Sequence, residues 1–194
     1  MLAAVVAMTL LVAADLSSPP LLGALDVRWR DLVEPAETWQ VRLSEWLYVV
    51  GGGAVMAPLR IAVAIWLIVR RRWFDLAAWL GAWAAADLLT QLLKPGIGRV
   101  RPDLTNAASF PSGHAKSAAQ VSIGLVLVAT SPWRSRTWAW LFAAMWIVAV
   151  SVSRTALADH YLSDVVAGSL LGAGCAIGVA ALAQGSRDRR VARP

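Results

Sequence analysis

The chain has 194 residues, of which 58% are hydrophobic and only 15% charged, and it carries a net charge of +6. A soluble domain of this length carries more charge, and several apolar runs here approach the roughly 20 residues that cross a bilayer. The basic excess is almost all arginine, Lys94 and Lys116 being the lysines. On so apolar a chain it points to positively charged loops and an anionic substrate, not to nucleic acid.

The first apolar run, residues 2–14, is short for a span and has the length of a signal peptide. No Lys or Arg precedes it, which favours a first transmembrane helix. Ser17-Ser18-Pro19-Pro20 breaks it. Residues 21–45 mix apolar side chains with Asp26, Arg28, Arg30, Asp31, Glu34 and Glu37. That pattern fits an interfacial amphipathic segment or a solvated loop. A second span over 49–69 is made irregular by Gly51-Gly52-Gly53, Pro58 and Arg60. The third, 74–93, carries Asp87. A fourth over 115–131, a fifth over 137–153 and a sixth over 164–183 follow. The pattern predicts an all-α, polytopic membrane protein with six transmembrane helices in one domain, 1–194. Within it, 1–48 hold the first helix and the outer amphipathic segment, 49–184 the core helices, and 185–194 a basic tail. Cys175 is the single cysteine, so no intramolecular disulfide forms.

Charge sets the orientation. The 70–72 loop, the 132–136 loop and the tail hold nine arginines between them. The positive-inside rule puts these three, with both termini, in the cytoplasm. Loops 94–114 and 154–163 then share the outer side. Trp46, Trp73, Trp133 and Trp138 fall near span ends, where an amphipathic ring suits the interface.

Those two outer loops hold most of the polar chemistry. Lys94-Pro95-Gly96-Ile97-Gly98-Arg99-Val100-Arg101-Pro102 comes first, then Pro111-Ser112-Gly113-His114, then Ser153-Arg154 with His160 and Asp164. Both histidines of the chain lie in these clusters, beside Lys94, Arg101 and Arg154. Guanidinium forks match phosphate oxygens, and the Ser112-Gly113 backbone ahead of a helix can aim N–H groups at an anion. Phosphoryl transfer needs such positioning and charge neutralisation above all. His160 and Asp164, four apart, share a face if a helix starts by His160. The carboxylate then fixes one ring nitrogen and leaves the other free to attack. His114 suits a general acid for the leaving oxygen and then a base for water.

The pattern Lys-x6-Arg-Pro, Pro-Ser-Gly-His, Ser-Arg-x5-His-x3-Asp resembles the three-part signature of the type-2 phosphatidic acid phosphatase superfamily. All three parts are present in order, over residues 94–164. The resemblance implies His160 as nucleophile, Asp164 as its partner and His114 as acid, then base. It implies Lys94, Arg101, Ser112, Gly113 and Arg154 as the holders of the phosphate oxygens. It also implies an enzyme with no metal or other cofactor, acting on a lipid phosphate or diphosphate in a bacterial plasma membrane. Polyprenyl (di)phosphate is the first substrate expected and phosphatidic-acid-like lipids follow. A phosphotransferase passing the same phosphohistidine to another acceptor is the alternative.

Other polar residues carry no signature role. Arg99 reads as a solvated or headgroup-facing charge, and Lys116 and Asp159 stay unassigned. Arg60 and Asp87 are costly within a membrane unless paired, and neighbouring helices place them to pair with each other. The 51–53 glycines lack the Lys-Ser/Thr of a phosphate loop and suit close helix packing.

Overall fold

The computed structural model describes residues 21–35, 37–106, 108–129 and 136–191. The expected first span, 2–14, lies outside these residues, as does most of the 132–136 turn. The described residues form helices and no strand: α1 (Leu21–Val33), α2 (Thr38–Gly51), α3 (Gly53–Val69), α4 (Trp73–Ile97), α5 (Gly113–Ala129), α6 (Arg136–Ala156) and α7 (Leu162–Val191). Among the described residues, four stretches are long and apolar enough to cross a membrane: Thr38–Val69, Trp73–Ile97, Thr137–Ala156 and Leu162–Ser186. The chain is an all-helical membrane protein.

The sequence-based boundaries move outward. The second span begins at Thr38 rather than 49, so the region read as amphipathic segment or loop is α1 plus the start of α2. The third and sixth spans also gain a turn or more of polar helix at their ends. Propensity and capping extend a helix beyond its apolar run; Glu37 and Gln40 close a capping box ahead of α2. At 17 residues, α5 falls short of the roughly 20 that cross a bilayer.

Small residues place the helices that matter most. A Cβ on Gly168 of α7 would overlap the carbonyl of Ser112, just ahead of α5, and one on Gly172 the carbonyl of Lys116 in α5. Only glycine permits that approach, and in lipid such backbone contact, rather than apolar burial, draws helices together. Ala115, Ala118 and Ala119 of α5 and Ala167 of α7 are buried. On the other side of α5, Met56, Val63, Leu67, Trp79, Val121 and Val128 form an apolar cluster across α3, α4 and α5. Trp79 anchors it by donating its indole N–H to the Arg60 carbonyl at 3.0 Å. Large apolar side chains face outward, among them Leu88, Leu92, Phe142, Met145 and Leu182, as a lipid-facing surface requires. Trp46, Trp73 and Trp138 are exposed near helix ends.

Candidate active site

Three helix ends meet at one end of the bundle. The last turn of α4 carries Lys94, the first turn of α5 carries His114, and the α6–α7 turn carries Asp159 and His160. The Ser112 N–H donates to the Asp164 carbonyl at 3.0 Å, which ties the start of α5 to the start of α7. At the end of α6, Ala158 takes φ of 56°. This turns the chain back, so that the N–H groups of Asp159 and His160 both donate to the Arg154 carbonyl.

His160 precedes α7 instead of lying on it, so its link to Asp164 runs through a turn and not along a helix face. Its Nδ1 stands 3.6 Å from Asp164 Oδ2. Ser109 lies between them: its hydroxyl donates to Asp164 Oδ2 at 2.5 Å and is 3.4 Å from His160 Nδ1. The Tyr161 N–H donates to the same oxygen at 2.9 Å. Asp164 is fully buried. His160, outside the apolar run of α7, is pushed down from the usual imidazole range by burial, against the pull of Asp164.

His114 lies at the polar start of α5, stacked on Tyr48 with ring centroids 4.9 Å apart, and it hydrogen-bonds the Tyr48 carbonyl. A Cβ on Gly52 would lie 3.3 Å from its Nε2 and 2.9 Å from the Tyr48 oxygen. The break between α2 and α3 therefore needs glycine for close approach. Burial first, and then Arg154, His160 and Arg101, push His114 down to about 4.

The cations gather on Asp159. Arg154 donates to it at 2.6 Å and Arg101 stands 3.6 Å from its other oxygen. The Arg154 guanidinium also lies 4.3 Å from the Tyr48 ring centroid. Arg154 Nη2 and Arg101 Nε are buried donors with no partner among the described residues. Lys94 donates to the Ala108 carbonyl at 2.6 Å. Ser112 is fully buried, and Gly113 begins α5.

Arg99 is not the solvated charge its sequence position suggests. Its guanidinium joins Asp164 Oδ1 at 2.6 Å, Asp26 Oδ2 at 2.7 Å and the Ser163 hydroxyl at 2.7 Å. Asp26, 137 positions from Ser163, carries no local motif that could have revealed this. Ser109 was equally silent, lying two residues ahead of Pro111-Ser112-Gly113-His114. Arg60 and Asp87 do approach, at 3.7 Å, but Lys116 is the closer partner of Asp87. Trp83 donates to the same carboxylate at 2.7 Å.

The family model for the PAP2 superfamily matches residues 75–188, and the chain belongs to that superfamily. Among individual proteins, it is 32% identical over 131 residues to phosphatidylglycerophosphatase B of Bacillus subtilis strain 168. That match takes in 63% of this chain and spans 64% of the relative's length. A crystal structure of a transmembrane PAP2-type phosphatidylglycerolphosphate phosphatase from Bacillus subtilis superimposes with a TM-score of 0.79 at 24% identity. It covers 97% of this chain and 96% of that one. The crystal structure of Aquifex aeolicus LpxE gives a TM-score of 0.63 at 21% identity, over 80% of this chain and 94% of that one.

Proposed function

We propose that the protein is a metal-independent lipid phosphate or diphosphate phosphohydrolase working through a phosphohistidine on His160. The observation that carries this is the pair of buried, unpartnered arginine donors, Arg101 Nε and Arg154 Nη2, beside two imidazoles. Buried donors in want of an acceptor, set among cations, describe an oxyanion site. His160 Nε2 attacks phosphorus while Nδ1 stays turned to Asp164, and the P–O bond to the lipid breaks. His114 supplies the proton to that oxygen. It then takes a proton from water, whose oxygen displaces His160 and releases inorganic phosphate. Lys94, Arg101, Ser112, Gly113 and Arg154 hold the phosphate oxygens.

The arrangement grips phosphate and leaves the headgroup unread, so substrate choice falls to the lipid. Phosphatidylglycerol phosphate comes first because two of the similar proteins bear its phosphatase name; polyprenyl (di)phosphate, the first choice on sequence, comes second. A cavity of about 460 Å³ between α1, α2 and α6, lined by Leu32, Leu43, Leu47, Val152 and Ser153, offers room for an acyl chain. Six transmembrane helices, with the site outward and the termini in the cytoplasm, accommodate the arginine-rich loops.

Purified protein in detergent and chelator is expected to release phosphate from these lipids. His160→Ala abolishes release, and His114→Ala slows both the formation and the hydrolysis of the acid-labile phosphoenzyme. Sustained turnover by His160→Ala removes the nucleophile assignment. Transfer of phosphate to a second lipid in place of water would make the enzyme a phosphotransferase.

A further inference from the structure

Charge, more than apolar packing, holds α1 to the bundle. From Gly23 to Val33 only Asp26 is buried, while Leu25, Val27 and Leu32 are half or more exposed. Asp26 accepts the Ser163 N–H at 2.9 Å, the Ser163 hydroxyl at 2.8 Å and Arg99 at 2.7 Å. One neighbouring bond, from the Trp29 indole to the Thr155 hydroxyl at 2.9 Å, adds to the docking. Arg99 thus spans two carboxylates, Asp26 and Asp164, whose side chains are 2% and 0% exposed. Its plane lies over the Tyr161 ring, 3.9 Å from the centroid. Two buried carboxylates this near one another need a cation between them, and only the planar fork of arginine reaches both at once.

We infer that Arg99 is a positioning residue for Asp164, itself set by Asp26, so that the docking of α1 completes the catalytic centre. The inference rests on the proposed pairing of His160 with Asp164. Oδ2 of that carboxylate serves Ser109, Tyr161 and His160; Oδ1 is held by Arg99. Pinning Oδ1 fixes the carboxylate plane and hence the aim of Oδ2 at the imidazole. Asp26 precedes the stretch matched by the family model, 75–188, so this part of the centre comes from outside it.

The test uses the full chain in liposomes with phosphatidylglycerol phosphate, with initial rates from about pH 5 to 9. Wild type, Arg99→Gln, Arg99→Lys, Asp26→Asn, Asp26→Asn with Arg99→Gln, and His160→Ala are compared. The charged groups facing His160 are Asp164 of α7, Lys94 of α4 and Arg101 of the 98–112 loop, with His114 of α5 in electrostatic reach. Arg99→Gln removes the cation paired with Asp164, so the carboxylate acts more fully on His160, its protonated form is better tolerated and the acid limb of kcat/KM moves to higher pH. Asp26→Asn removes an anion and moves the limb to lower pH. Arg99→Gln lowers kcat about 10-fold or more with KM unchanged, and the double variant is no worse than Arg99→Gln alone. Arg99→Lys keeps the limb near wild type yet does not restore kcat. Limbs that stay still or move together, additive losses, or losses in KM alone overturn the inference. Asp26→Asn preserves shape, and wild-type kcat and limb in it overturn the inference even where Arg99→Gln does not fold. An active His160→Ala sinks the proposed mechanism. An inactive His160→Ala beside wild-type behaviour of the Arg99 and Asp26 variants sinks only this inference.

Discussion

With its pKa pushed down to about 4 by burial and by Arg154, His160 and Arg101, His114 is neutral at pH 7. One ring nitrogen bonds the Tyr48 carbonyl and the other keeps a lone pair, the form that activates water rather than the form that protonates a leaving oxygen. A phosphoryl dianion held by Arg101 and Arg154, as proposed, would offset their repulsion and favour the imidazolium. Inorganic phosphate is therefore expected to raise the His114 pKa by about one unit or more in an NMR titration; a titration that phosphate leaves at about 4 removes His114 as the acid. The same shift has a consequence for stability. Between pH 4 and 6.5 the unfolded chain binds a proton at His114 that the folded chain refuses. Stability at this residue then rises with pH across that window and is lost on acidification. The His114→Gln variant should show a shallower fall in thermal midpoint from pH 6.5 to 4, and an identical fall would place the acid sensitivity elsewhere.

The α5–α7 contact is the element on which the site's geometry depends. Gly168 lies against the Ser112 carbonyl and Gly172 against that of Lys116, so a methyl group at either position forces the helices apart. Overpacking of this kind costs about 1–3 kcal/mol. Gly168→Ala should cut turnover more than Gly172→Ala, because it displaces Ser112 beside the Asp164 carbonyl. Equal activity at equal stability loss would show that this joint does not set the site. Deeper in the bundle, Asp87 is the carboxylate shared by Lys116 and Arg60. Arg60 also donates to Ser117 at 3.0 Å and lies over Trp83, 5.2 Å from its centroid. Asp87→Asn leaves two buried cations without their anion and should lower the thermal midpoint. Lys116→Met leaves Arg60 to neutralise Asp87 and should cost less; the reverse order in thermal unfolding would reject Lys116 as the principal partner. The sequence supplied the Arg60–Asp87 proximity, since both sit on adjacent apolar spans. It could not supply Lys116, whose approach depends on how α5 is rotated against α4.

At the scale of the whole molecule, apolar runs and arginine clusters made the helical architecture legible, because bilayer thickness dictates span length and backbone bonds must close within each span. The signature residues were legible for a similar reason: helix ends at one level bring loops 94–114 and 154–163 together. Asp26 and Ser109 were not, since their importance comes from tertiary contacts that no local pattern encodes. What the sequence argued most directly, by charge, was orientation, and a single-cysteine series can test it. Cys175 is free and buried, so a cysteine added at an exposed position dominates labelling by a membrane-impermeant maleimide. Leu104 is 79% exposed in the loop beside Arg101, whereas Arg70 is exposed at the opposite end of the adjacent helix pair, in the α3–α4 turn. In intact cells Leu104→Cys should label from outside, and Arg70→Cys only after permeabilisation. Labelling in the opposite order would turn the catalytic end toward the cytoplasm. The proposed phosphohistidine chemistry would survive that reversal, because it depends on the meeting of helix ends and not on the side they face. The substrate's leaflet would change.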